Sequence, residues 1–407
     1  MSDPVSLSTS RFEYDPGVIR FGRGCVSALA DELDRQGCTN ALVVCGRTVG
    51  STPAVLDPVT EGLDDRLAGV FAETTPDKLL GTAVDGVERL REVDADSVVS
   101  LGGGSSLDTA KVLSVLAATD RSPAEVGDEL ATSGTIPVPE DGLPAIVAVP
   151  TTFAGADLSQ GAGVNADPEN GLVDDPVSGG VSDQQLMPAA VFADPALFET
   201  TPYDVLAGSA MNGFDKGVET LYARNGTPVS DATAMRGLRL LADALPALDA
   251  DSSNPETMDR AVEGSLLVQY GVSRPDGSTL SIIHAFGHAL RHHAGLQQGT
   301  AHAIVAPHAL DYLFEQVDGR RALLARALDV PTAERSSDAV SDGVVDAVTG
   351  VRDSLGVTTR LRSVDGIERS DLGAVAETTL SDRFMAQVPE GLDPTVEDLR
   401  AVLEAAW

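Results

Sequence analysis

The rhythm of hydrophobic positions changes near the middle of the chain. In the first half, short apolar runs alternate with stretches of helical spacing. ALVVC (41–45) and SVVSL (97–101) have the nearly continuous apolar character of strands buried on both faces of a parallel sheet. Between them Leu79, Leu80, Val84, Val87 and Leu90 recur at helical intervals and predict a helix over 78–93. A further helix is expected over 107–118 and a further strand at AIVAVP (145–150). This alternation predicts a doubly wound, Rossmann-like parallel sheet. Residues 160–188, rich in Gly, Asp, Pro and Ser, read as a long loop or an irregular hairpin. From about residue 198 helical spacing takes over, with helices expected over 231–248, 259–272, 279–293, 300–317 and 395–405. The chain therefore divides into an α/β domain, 1–197, and an all-α domain, 198–407, with a cleft between them.

The 407 residues suffice for two domains with substantial cores, and 43% of them are hydrophobic. Aromatics are few, so the core rests on Val, Leu, Ala and Ile. Acidic residues number 62 against 28 basic, a net charge of −34. No basic face is visible, which argues against nucleic acid as a partner. The acids are spread along the chain rather than gathered in a tail, as on a surface adapted to molar salt. There are three lysines, Lys78, Lys111 and Lys216, and a chain that avoids lysine so strongly is expected to keep each for a reason. Cys25, Cys38 and Cys45 have no metal-like spacing and suit structural thiols in a reducing cytoplasm. The opening decapeptide lacks an apolar signal region, and no apolar run approaches a membrane span.

SLGGGSSLDTAK (100–111) follows a strand and opens a helix. Its three glycines let the backbone approach a pyrophosphate, and the helix N-terminus offers free N–H groups and the positive end of a dipole. The full string GGGSSLDTAK resembles the phosphate loop of the iron-type (group III) alcohol dehydrogenase superfamily. The resemblance runs through FGRGCVSALADEL (21–33), VPTTFAGADLS (149–159), FADPALFETTP (192–202), HAFGHAL (284–290) and DPTVEDLRAVLEAA (393–406). PTTFAG and VAPHALDYL (305–313) look most like the maleylacetate reductase branch. The resemblance implies a dehydroquinate synthase-like fold, a nicotinamide dinucleotide and hydride transfer in the interdomain cleft. By that analogy Gly102, Gly103, Gly104 and Ser105 cradle phosphate, with Asp108 one turn into the helix. Thr151, Thr152 and Phe153 lie beside the nicotinamide ribose.

In the family an Asp often follows the second strand and binds the adenosine ribose. Here that position falls on Gly46, followed by Arg47 and Thr48. A Gly beside an Arg accommodates a 2′-phosphate, so NADP(H) is the expected preference with NAD(H) possible. Alternatively, Arg47 is one of many solvated arginines.

All six histidines lie between His284 and His308. His284, His288 and His292 share one helix face by spacing, and His292 and His293 read as solvated. Metal-dependent relatives bind their ion with an Asp and a His four apart, the first His of a His-x-x-x-His pair, and a His about fourteen residues later. The match of KGVETLY (216–222) to the family's His-Ala-Val-Glu-Ala-Leu-Tyr places Asn212, Lys216, His284 and Gln298 at those positions. A competing register would use Asp215 and Glu219. Asn and Gln bind divalent metals weakly, and an ammonium not at all, so no metal is expected at this vestigial site. An Asp and three neutral His around a dication sum to one positive charge, as do Asn212, charged Lys216, His284 and Gln298. Lys216 is therefore expected to replace the metal cation, where a unit charge about 4 Å from a developing oxyanion is worth roughly 4 kcal/mol. His288 is the candidate proton relay and His284 a further site residue. Metal-dependent members often carry a lysine in the stretch read here as 171–188, and none stands there. Arg224, Arg274, Arg291 and His302 are candidates for a substrate carboxylate clamp.

The expected function is a metal-independent NAD(P)H-dependent reductase of a small aldehyde or oxo acid. It is expected to be cytoplasmic and homodimeric, without nucleic-acid or membrane partners. The alternatives are a conventional iron- or zinc-dependent alcohol dehydrogenase, a non-catalytic NAD(P)-binding relative and, least favoured, a cyclase or lyase of dehydroquinate synthase type.

Overall fold

The computed structural model describes residues 10–248 and 254–407. The expectation about the opening decapeptide thus lies, but for its last residue, outside the described residues. Strands β1 (Val18–Phe21), β2 (Ala41–Gly46), β3 (Leu67–Thr74), β4 (Ser97–Gly102), β5 (Ala145–Pro150) and β8 (Ala190–Ala193) form one parallel sheet in the order β1-β8-β5-β4-β2-β3. The apolar runs read from sequence are its central strands. Alternation along them feeds two cores, with Leu42, Val44 and Val98 on one face and Val43, Cys45, Val99 and Leu101 on the other. β1 and β3 had no such signature because they lie at the two edges and are only partly buried.

The chain leaves β2 for β3 on one side and leaves β4 for β5 on the other. That reversal opens a crevice beyond the carboxyl ends of β2 and β4, where open parallel sheets bind ligands. Two helices frame one face, α1 (Leu80–Glu92) and α2 (Gly104–Ala118). α1 begins two residues later than expected because Lys78 is held in a left-handed turn, φ 54°. α2 begins three residues earlier, directly at the glycines. The stretch 160–188 is a hairpin of β6 (Gly161–Ala166) and β7 (Val177–Ser182), paired from Gly161↔Ser182 to Ala166↔Val177.

From Tyr203 onward the described residues are mostly helical. α3 (Tyr203–Tyr222) is the axis of this region, buried along most of its length. Pro228–Ala244, Pro255–Gln269, α4 (Ile282–Ala294) and α5 (Gln298–Gln316) surround it. Thr227 starts Pro228–Ala244 with a capping box closed by Ser230 and a Pro in its first turn, and Pro246 lies just beyond its end. Gly295, φ 63°, ends α4. A two-residue hairpin, Ser273–Arg274 with Gly277–Ser278, interrupts the helical pattern and shortens the helix expected over 279–293. Among the described residues no helix is long and apolar enough to cross a membrane.

Candidate active site

The glycine loop expected to bind phosphate is held from both sides of the crevice. Gly102 ends β4 at φ 133°, a conformation side chains resist, and α2 starts at Gly104. Thr151 N–H donates to Gly102 O at 3.0 Å, which ties the exit of β5 to the loop. Ser106 and Thr74 share a hydroxyl hydrogen bond of 3.0 Å behind it. Gly46, Arg47 and Thr48 lie at the end of β2, across the crevice from Gly102, Gly103, Gly104 and Ser105. The Arg47 guanidinium is not free, because Glu73 at the end of β3 pairs with it at 2.5 Å.

Two expected cofactor contacts have other partners. Asp108 receives the Lys78 ammonium and the Gly163 N–H, so its carboxylate braces the β6–β7 hairpin. Phe153 is buried against Phe198, with ring centroids 5.4 Å apart, and only its backbone reaches across, to Ser209 Oγ at 3.1 Å. Lys111 is wholly buried and donates to Ser159 O, Ser159 Oγ and Gly161 O at 2.6, 2.9 and 3.2 Å. Burial lowers its pKa to about 8, against the pull of Asp108 and Asp157. Two of the three lysines therefore fasten the hairpin to the phosphate-loop helix.

The third lies on α3. Asn212, Lys216, His284 and Gln298 meet, although they come from three helices. Lys216 Nζ is 3.2 Å from His284 Nε2 and 3.5 Å from Asn212 Oδ1. Gln298 Nε2 is 3.1 Å from His302 Nε2 and 3.4 Å from the His284 carbonyl. The Lys216 stem crosses Gly155, φ 69°, where a Cβ would come 3.0 Å from Lys216 Cε. Burial lowers the Lys216 pKa to about 8, while Glu219, Asp157, Asp215 and Asp108 act to raise it. At neutral pH it is an ammonium, and among the described residues no carboxylate lies at salt-bridge distance from it.

Glu219 explains how His284 accepts that ammonium. Its Oε2 lies 2.5 Å from His284 Nδ1, and its two oxygens take the N–H groups of Ser281, Ile283 and His284 at 3.0, 2.8 and 3.1 Å. Burial raises the Glu219 pKa to about 7, against those N–H groups and Lys216, and in its ionised form it holds the imidazole proton on Nδ1, so Nε2 faces Lys216 with its lone pair. Burial first, then Lys216 and His288, push the His284 pKa well below its usual value and keep the ring neutral. The same carboxylate–histidine order supports metal-bound imidazoles. A second pair lies alongside, with His302 Nδ1 3.3 Å from Asp215 Oδ2. Burial, then Glu219, drives the Asp215 pKa well up.

The donor set does not fit a divalent ion. An ammonium stands where a ligand is needed, and His284 is the one imidazole it leaves. Glu219 is engaged behind His284, and Asp215 lies buried near His302 with neither carboxylate oxygen hydrogen-bonded. Among the described residues no group of three His, Cys, Asp or Glu is placed to hold a metal.

His288 sits one turn beyond His284, with Nδ1 2.8 Å from Asp382 Oδ2. His292 is exposed, and His293 Nε2 meets Thr378 Oγ1 at 2.8 Å. The carboxylate-clamp candidates do not converge. Arg274 is buried on Asp276, Gly271 O and Asn225 O, His302 is buried behind Gln298, and Arg224 is exposed. Arg291 reaches Pro76 O at 3.4 Å, in the turn that carries Lys78. Sequence reasoning missed Asp157, Gln269 and Asp382. Gln269 bonds both the backbone and carboxylate of Asp157, which lies within electrostatic reach of Lys111 and Lys216. Asp157 lies inside the quoted VPTTFAGADLS segment (149–159), but nothing local marks it as buried.

Comparison with known proteins covers both halves of the chain. Residues 16–195 match the family described as iron-containing alcohol dehydrogenase, and residues 206–407 match the C-terminal part of the Fe-containing alcohol dehydrogenase family. The lactaldehyde reductase of Escherichia coli (strain K12) is 25% identical over 394 residues, 95% of this chain and 97% of the relative. A maleylacetate reductase of Sphingobium indicum is 29% identical over 323 residues, 78% of this chain and 80% of the relative. The crystal structure of a 1,3-propanediol oxidoreductase superposes with a TM-score of 0.86 at 22% identity, covering 98% of this chain and all of that one.

Proposed function

The chain belongs to the iron-containing alcohol dehydrogenase family, and within it we propose a metal-independent, NAD(P)H-dependent reductase of a small aldehyde or oxo acid. One observation carries the reading, the Lys216 ammonium 3.2 Å from a neutral His284 Nε2 at the family's metal position. Gly102, Gly103, Gly104 and Ser105 would hold the dinucleotide phosphates, with Gly46 to Thr48 at the adenosine end and Thr151 and Thr152 towards the nicotinamide. When bound, the reduced dinucleotide supplies the hydride. Lys216 stabilises the negative charge gathering on the carbonyl oxygen, and Glu219 acts through His284 to keep that ammonium in place. His288 supplies the proton.

The maleylacetate and lactaldehyde reductases among the relatives support a small oxo acid or aldehyde as substrate. Arg47 supports NADP(H), and its pairing with Glu73 supports dual use, since an exposed pair is weak enough to be exchanged for a phosphate. The domain division at 197/198, the cytoplasmic setting, the homodimer and the salt adaptation belong to the same proposal. The test is NADPH oxidation in concentrated KCl with a panel of aldehydes and oxo acids, before and after exhaustive chelation. Turnover that survives chelation is the expected result. Turnover lost on chelation and restored by iron or zinc would overturn metal independence in favour of a conventional family dehydrogenase. Tight cofactor binding with no turnover would leave a non-catalytic relative.

A further inference from the structure

His288 has a carboxylate of its own, brought from the far end of the chain. Its Nδ1 lies 2.8 Å from Asp382 Oδ2, and its ring lies over Phe384 with centroids 5.2 Å apart and planes at 35°. Phe384 is buried and also meets His284 edge-on at 6.2 Å, so one aromatic ring walls both histidines. The other Asp382 oxygen, Oδ1, accepts the Phe384 N–H at 2.8 Å and caps the turn Arg383–Gln387. The Arg383 guanidinium covers the Phe384 ring at 4.9 Å from its centroid. Asp382 is thus mostly buried and fixed through one oxygen, while the other faces an imidazole that remains 41% exposed to solvent.

The geometry points to Asp382 as the positioning residue for proton delivery. An ionised carboxylate only accepts hydrogen bonds, so the shared proton belongs to Nδ1 and the open ring position is Nε2. With Nδ1–H held by the carboxylate, the proton that His288 can give is the one on Nε2. The inference rests on the reductase reading above. In that reaction the hydride of the reduced dinucleotide forms the new C–H bond. The carbonyl π pair moves onto oxygen, which takes the Nε2 proton of His288. The dinucleotide is left oxidised and His288 neutral, with Nδ1–H still directed at Asp382. Solvent returns the proton through the exposed edge of the ring.

Asp382→Asn is a clean test because Asn caps helical turns as well as Asp, so the Arg383–Gln387 turn survives while the anionic acceptor is lost. In the full-length protein, with NADPH and the best carbonyl substrate, kcat should fall roughly 10- to 100-fold. Substrate KM, cofactor affinity and melting temperature should hold. His288→Gln should fall by a similar factor and recover in part with added imidazole. The double variant should be no slower than the slower single. An Asp382→Asn enzyme with wild-type kcat, while His288→Gln is slow, would sink the role of Asp382 alone. Loss of kcat only alongside lost stability or cofactor affinity would do the same. Full turnover in His288→Gln would remove the proton donor, and a wild-type protein inert to every carbonyl would remove the parent reading with it.

Discussion

In the proposed reaction the chemistry turns on a buried ammonium. Lys216 has its pKa lowered to about 8 by burial, so the cation that the proposed reaction uses is present below that pH and lost above it. The expected kcat profile falls as pH rises through about 8, and steady-state rates across that range check it. Lys216→Met should lower kcat/KM on the order of 10³-fold, from a charge worth roughly 4 kcal/mol. The stability sign is opposite. Between about 8 and the usual lysine range the unfolded chain binds the extra proton, so this group's contribution to stability rises with pH there. Lys216→Met is therefore expected to melt no lower than wild type at neutral pH, and a large drop in melting temperature would mean the ammonium is structural. Glu219→Ala should do the reverse, removing the acceptor for three buried N–H groups at about 1–3 kcal/mol each and freeing the His284 tautomer.

At the scale of elements, the β6–β7 hairpin is held by two lysines that act as fasteners. Lys111 satisfies three oxygens of the 159–161 bend, and Lys78 joins Asp108 of α2 to the turn that pairs with Asn165. Lys111→Ala removes three of the hydrogen bonds that hold this bend to α2. Amide exchange should accelerate through 159–166 while β2, β4 and β5 stay protected, and uniform acceleration across the sheet would count against a local fastener. The same elements show where sequence patterns are legible. β2, β4 and β5 stood out because both faces are buried. The hairpin stayed ambiguous because Gly-rich strands such as GAGVNA carry little apolar alternation. The helix starts moved by two or three residues at Leu80 and Gly104, where a left-handed Lys78 and the phosphate-loop glycines set the turn.

For the whole molecule, charge and the sheet edge dominate. With a net charge of −34, self-repulsion is reduced when the Debye length shrinks from about 10 Å at 0.1 M salt to about 3 Å at 1 M. The melting temperature is expected to rise steadily with KCl over that range, and a salt-independent melt would contradict salt adaptation. Val18, Ile19 and Phe21 are exposed on β1, half of the six large exposed apolar side chains found among the described residues. An edge strand with that character suits pairing with a second copy. Ile19→Lys with Phe21→Lys should convert the expected dimer to a monomer by light scattering.

The strand–helix alternation and the family motifs already identified the fold, the glycine string pointed to a dinucleotide loop, and the register around KGVETLY singled out Asn212, Lys216, His284 and Gln298, which the fold brings together. Those features are local, written in spacing along single helices and strands. The tertiary structure decided what the positions do to one another. Glu219 sets the His284 tautomer across 65 residues, Asp382 reaches His288 across 94, and Glu73 claims Arg47 from the next strand. It also turned Asp108 and Phe153 from expected cofactor contacts into supports. Hydrogen bonding and burial depend on which atoms meet in space, and no periodicity along the chain encodes a partner that far away.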